Sequence, residues 1–216
     1  MPEKKTNLGS LNILLGVSGG IAAYKAVDLA SKLTGAGAKV NTVMTENACQ
    51  LVGPKSFEAV TGSAVFTSLW APHFVPHQSG VSPSSIGAGW EPSHVNLADW
   101  ADIVVVAPAT ANIIGKIANG ICDDLLSTTL CVCWQKPMLL APAMNNNMWT
   151  NVAVQRNVKA VKEMDFELIG PEEGRLASGA EGIGRMSEPQ DILEAIEKIA
   201  SKLKRKKARV KRKDTD

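Results

Sequence analysis

Three side-chain amides stand in a row at Asn145, Asn146 and Asn147, with Met144 and Met148 on either side and Trp149 behind them. An amide offers donors and an acceptor without carrying a charge. Thioethers add soft apolar surface. A single Asn at a helix entry is ordinary, because its oxygen caps the first amides; that explains one Asn, not the set. A second group is Ser18, Gly19 and Gly20, which follow an apolar run and open a helical pattern. Backbone amides at a helix N-terminus attract an anion. The glycines at 16, 19 and 20 do not form a GxGxxG fingerprint, and no Walker lysine stands at the required place. A mononucleotide phosphate suits this loop better than a pyrophosphate, with Thr45 as a second hydroxyl. An ordinary strand-to-helix turn explains the loop equally well on its own.

Other chemistries are disfavoured. His73 and His77 have helical spacing, but Pro72 and Pro76 argue against a helix there and hence against a metal site. The four cysteines, at 49, 122, 131 and 133, form no CxxC and read as buried free thiols in a reducing compartment.

The elements that must position these groups alternate between strand and helix. Residues 12–17, 39–44, 64–66, 103–107, 137–140 and 166–169 read as strands. Residues 21–33, 56–61, 94–100, 108–118, 124–133, 150–164 and 189–204 read as helices, the last with Pro189 at its start. Residues 170–186, with five glycines, read as a loop, and 71–92, rich in Pro, Ser and Gly, as a long surface flap. This alternation predicts one α/β domain, a flavodoxin/Rossmann-like doubly wound parallel sheet. The expected organisation is an N-terminal tail (1–11), a single domain (12–201) and a basic tail (202–216), most simply read as a solvated, disordered end. The loops 108–112, 141–147 and 170–186 then converge on the crevice at the carboxyl ends of the strands. Its lining of apolar groups, hydroxyls and amides suits a flat, hydrogen-bonding ring such as a flavin better than a metal or a polyanion.

Charge is unevenly spread. The chain's net charge is +2, yet nine of its 23 basic residues lie between 202 and 213. Residues 1–201 hold 14 basic and 19 acidic residues, a net of −5. Such a body is not a nucleic-acid-binding one. No apolar run is long enough to span a bilayer, and the polar start has no signal core, so the expected place is the cytoplasm, with no membrane partner.

Six pieces of the chain resemble the flavin-containing cysteine decarboxylases. They are 16–24 (GVSGGIAAY), 93–102 (SHVNL and WAD), 107–112 (APATAN), 115–126 (GKIANGICDDLL), 142–149 (PAMNNNMW) and 182–186 (GIGRM). They come in the family's order and cover most of residues 12–198. The likeness is strongest to the members that convert 4′-phosphopantothenoylcysteine to 4′-phosphopantetheine in coenzyme A biosynthesis. The resemblance implies FMN as cofactor and a carboxy-lyase reaction. Oxidation of the substrate thiol gives a thioaldehyde, carbon dioxide leaves, and the resulting enethiol is reduced and protonated.

The same resemblance implies the site. His94 matches an acid/base or electrostatic partner, and Asn145 the asparagine that holds the substrate carboxylate. Met148, Arg185 and Met186 match substrate contacts. Gly16, Ser18, Gly19, Ile21, Thr45, Pro108, Thr110, Asn112, Ala143 and Met144 are candidates for the FMN site. The family implies a homotrimer, or a multiple of trimers, with the histidine contributed across the interface. Bacterial members are often fused to a synthetase, so a separate phosphopantothenoylcysteine synthetase is an expected partner. One residue departs from the pattern: Ser178 stands where the family places a cysteine that protonates the enethiol. A thiol titrates near about 8.5, whereas a serine hydroxyl is a far weaker acid. Three readings follow: full turnover with another proton source; an oxidative decarboxylation of a cysteinyl (peptidyl-cysteine) substrate that stops at the enethiol; or a flavin-binding partner protein. The retained His94 and Asn145 make the third the weakest. A nicotinamide enzyme on a similar fold lacks its fingerprint here.

Overall fold

A computed structural model describes residues 8–9, 11–70, 93–177 and 179–213, with side chains to 205. The flap at 71–92 and Ser178 lie outside the described residues.

The sheet has four central strands and two short edge strands. β1 (Asn12–Val17), β2 (Lys39–Met44), β4 (Ile103–Ala109) and β5 (Met138–Pro142) are its centre, with short β3 (Val65–Phe66) and β6 (Glu167–Leu168) at the edges. Their order is β3-β2-β1-β4-β5-β6, and every pairing is parallel. This is a doubly wound sheet, whose strand order reverses between β1 and β4. Alternate side chains point to opposite faces. Ile13, Leu15 and Val17 enter one core with Ile103 and Val105; Leu14 enters the other with Val104 and Val106. Both faces are buried, which is why these strands read as continuous apolar runs.

Helices α1 (Ala23–Gly35), α3 (Pro54–Thr61) and α9 (Pro189–Lys213) cover the first face. Helices α4 (Ser93–Trp100), α5 (Ala111–Asn119), α6 (Leu125–Val132) and α8 (Val152–Glu163) cover the second. Two single-turn helices, α2 (Glu46–Cys49) and α7 (Asn146–Trp149), sit at the ends of β2 and β5. Gly16 packs beneath α6: a Cβ there would lie 2.6 Å from Leu126 Cδ1.

The structure departs from the sequence-based expectation in four places. The expected loop at 170–186 is an antiparallel hairpin, β7 (Glu172–Arg175) with β8 (Glu181–Arg185). Its glycines gave no strand signal, because strand formation depends on what the strand packs against. A single-turn helix at Asn146–Trp149, where a loop was expected, precedes the expected helix, which runs over 152–163 with Asn151 capping it by accepting the Ala153 N–H. The last helix runs to Lys213 instead of ending in a disordered tail; Lys, Arg and Ala are good helix formers, and basic residues suit a helix C-terminus. Of the four thiols, Cys133 is buried and Cys49 half-buried, but Cys122 and Cys131 are exposed. Cys122 lies in the loop before α6 and Cys131 on its outer side, where no core demands a small apolar residue. Among the described residues, no helix is long and apolar enough to cross a membrane, and no group of three or more His, Cys, Asp or Glu could hold a metal.

Candidate functional site

The loops after β1 and β4 meet at the switch point and are stitched through one hydroxyl. Ser18, 2% exposed, donates from Oγ to the Pro108 carbonyl at 2.8 Å and accepts from the Thr110 N–H at 3.1 Å. It lies 3.0 Å from Thr110 Oγ1. These contacts hold open a cavity of about 850 Å³ at the carboxyl ends of the strands.

One wall is the start of α1. Gly19, Gly20, Ile21 and Ala22 line the cavity, and Ala22 gives the helix no side-chain cap. The Gly20, Ala23 and Lys25 N–H groups donate to the Ser18, Gly20 and Ala22 carbonyls, so the amides of Gly19, Ile21 and Ala22 are the ones left beside the open space to favour an anion. Gly19 is required there, because a Cβ would overlap Asn47 of α2. Two threonines complete this end. Thr45 accepts from the Ala48 N–H at 3.2 Å, and Thr110 from the Ile113 N–H at 3.5 Å. In each, the oxygen caps a helix; the Thr45 O–H hydrogen remains able to donate, whereas that of Thr110 is engaged with Ser18 Oγ.

The opposite wall is the end of β5. Ala143, Met144, Asn145 and Met148 line it. Asn145 Oδ1 accepts the Asn147 N–H at 2.8 Å, capping α7. This bond fixes the amide's orientation. The Nδ2 hydrogens are therefore the groups left to donate, which suits a carboxylate acceptor. The hairpin closes the third side with Arg175, Leu176, Ala177, Gly184, Arg185 and Met186.

Three of the cationic side chains lining the cavity are ion-paired. Lys25 bonds Glu188 at 2.8 Å, and Arg185 reaches Glu172 at 3.3 Å and Glu188 at 3.9 Å. The Lys25 ammonium holds the Glu188 carboxyl below its ordinary range. Lys116 lies between Asp123 at 2.6 Å and Asp124 at 2.5 Å. Burial disfavours its charge, but the two carboxylates outweigh that and raise its pKa. Lys116's hydrogen bond correspondingly lowers the Asp123 pKa.

Of the residues singled out from sequence, Ser18, Gly19, Ile21, Thr45, Thr110, Asn112, Ala143, Met144, Asn145, Met148, Arg185 and Met186 line this cavity. Three others do not. Gly16 lies under Leu126, Pro108 acts through its carbonyl on Ser18, and His94, at the start of α4, is absent from the lining. Ser178 lies outside the described residues. Tyr24, Lys25, Asn47, Lys116, Asp124 and Arg175 line the cavity without having been predicted.

Comparison with known proteins gives consistent results. The family model described as Flavoprotein matches residues 1–201. The coenzyme A biosynthesis bifunctional protein CoaBC of Bacillus subtilis is 46% identical over 191 residues, covering 88% of this chain and 43% of that protein. CoaBC of Vibrio vulnificus is 40% identical over 192 residues, covering 89% and 44%. The chain thus spans less than half the length of these relatives. Among solved structures, a cysteine-to-serine mutant of PPC decarboxylase complexed with pantothenoylaminoethenethiol superposes with a TM-score of 0.69 at 32% identity, covering 86% of this chain and 96% of that one. The FMN-dependent cysteine decarboxylase SpaF superposes with a TM-score of 0.70 at 32% identity, covering 90% and 99%.

Proposed function

The chain belongs to the Flavoprotein family, and from that premise we propose that it binds FMN in the switch-point cavity and decarboxylates 4′-phosphopantothenoylcysteine to 4′-phosphopantetheine. The residues present fit the cofactor. The amides of Gly19, Ile21 and Ala22 with the Thr45 hydroxyl suit its phosphate. The cavity's size and the apolar side chains of Ile21, Met144 and Met148 suit its ring. When bound, FMN supplies the two-electron chemistry that makes carbon dioxide loss possible.

The protein's own part is orientation. The observation that carries the reading is Asn145, whose amide oxygen is tied to the α7 cap while its donors remain for the substrate carboxylate. Losing that carboxylate as neutral carbon dioxide breaks the hydrogen bonds, so the amide holds the ground state without trapping the product. Met148, 46% exposed, and Arg185 line the same mouth and bear on the rest of the substrate.

His94 acts, in this reading, from a neighbouring copy in a trimer. It lies outside its own chain's cavity. Its helix α4 packs on α6, and Val95, Val132 and Trp134, in or beside these helices, are exposed at 36%, 43% and 65%. Such an apolar surface is suited to burial between subunits. A phosphopantothenoylcysteine synthetase activity would supply the substrate.

A second reading rests on Ser178. Without the thiol acid, the reaction stops at the enethiol after carbon dioxide loss, and an external oxidant is needed for each further turnover. The PPC decarboxylase solved with an enethiol ligand is itself a cysteine-to-serine mutant. Anaerobic turnover of the purified yellow protein separates the two readings. Full reaction gives phosphopantetheine by mass; the oxidative reaction gives a product two hydrogens lighter with the flavin left reduced.

A further inference from the structure

The three consecutive amides have three different positions. Asn145 lines the cavity, Asn147 gives its N–H to the α7 cap, and Asn146 turns to the hairpin. Asn146 Oδ1 accepts the Ile183 N–H at 3.2 Å. Gly182 leaves room for that amide, since a Cβ there would lie 2.9 Å from Asn146 Cγ. Beside it, the Met144 N–H donates to the Gly184 carbonyl at 3.0 Å. These two bonds fasten β8 to the turn that carries Asn145, while β7 pairs with its other edge. The segment joining β7 to β8 includes Leu176 and Ala177, which form a wall of the cavity.

We propose that Asn146 is a positioning residue, a latch that sets the height of the β7–β8 hairpin over the cavity and so the gap between that wall and Asn145. It acts through the hairpin and touches neither substrate nor cofactor. Its kinetic consequence rests on the decarboxylase reading. A backbone tie alone would let β8 pivot about the Met144–Gly184 bond; the second bond, from a side chain one turn position further on, stops that motion.

The test uses the FMN-loaded protein, with Asn146→Ala, which removes the acceptor, and Asn146→Asp, which keeps one. Asn146→Ser, too short to reach Ile183, replaces the alanine variant if that does not fold. Amide exchange over residues 172–185 is expected to quicken about fivefold in Asn146→Ala, the effect of one net hydrogen bond, and to return in Asn146→Asp. KM for phosphopantothenoylcysteine is expected to rise by about the same factor with kcat held within about twofold, and to recover in Asn146→Asp. Unchanged exchange in Asn146→Ala overturns the latch. Faster exchange with unchanged KM reduces it to a structural tie and overturns the positioning role, as does failure of Asn146→Asp to restore both. If the unaltered protein releases no carbon dioxide, the decarboxylase reading fails, and the exchange measurements still decide the latch.

Discussion

Met144 gives its backbone N–H to the Gly184 carbonyl, and a Cβ on Gly184 would overlap the Met144 carbonyl oxygen. The hairpin therefore approaches the end of β5 at a distance only glycine permits. Gly184→Ala forces the two apart, at a cost of about 1–3 kcal/mol, as overpacking does elsewhere. We expect the flavin to stay bound and KM to rise at least about fivefold, as that cost implies. Steady-state kinetics with a flavin spectrum checks both.

Asn145 combines two tasks that substitution can separate. Asn145→Asp keeps the cap acceptor for the Asn147 N–H, and Asp caps as well as Asn. Its melting temperature should match the unaltered protein, while turnover falls at least about a hundredfold, because a carboxylate repels the substrate carboxylate. Asn145→Ala loses the cap as well, and its stability should drop by about 1 kcal/mol. Thermal unfolding and single-turnover assays distinguish the pair.

Gly19 is held against Asn47 so closely that a Cβ would overlap it. In Gly19→Ala the loop must move off α2, and the anion-facing amides move with it. Flavin content after purification should fall to a small fraction of the unaltered protein's, and stability in the flavin-free form should change less.

The Lys116–Asp123–Asp124 cluster gives a pH signature. The hydrogen bond from Lys116 lowers the Asp123 pKa below its ordinary 3.8. A carboxyl with a depressed folded pKa contributes stability that is complete above the unfolded value and lost as pH falls through the folded one. Lys116→Met should therefore flatten the acid side of the stability profile below about pH 3.8. Urea unfolding midpoints from pH 6 to pH 2 measure this, and a profile parallel to that of the unaltered protein would contradict it.

Much of this was legible in the sequence, for a physical reason. β1 was readable as an apolar run covered on both faces and β2 as the strand that closes a βαβ unit, and loops at strand ends in a doubly wound sheet converge of necessity. Thr45, Thr110 and Asn145 sit at such ends and line the cavity. Gly16 was misplaced because a glycine at the end of a strand looks the same whether it faces a ligand or, as here, Leu126. The hairpin was missed because its pairing is set by the β5–α7 turn rather than by its own propensities. Lys116 was within reach: it stands four residues after Asn112, on the same face of one helix. Tyr24 and Lys25, three and four residues after Ile21, give the same signal.

The most direct measurement follows the departing carboxylate. The flavin-loaded protein is mixed anaerobically with phosphopantothenoylcysteine labelled with carbon-13 at the cysteine carboxyl. Labelled carbon dioxide in at least one equivalent per bound flavin, abolished in Asn145→Asp, is the predicted result. A fully loaded yellow protein that releases none would contradict the decarboxylase assignment.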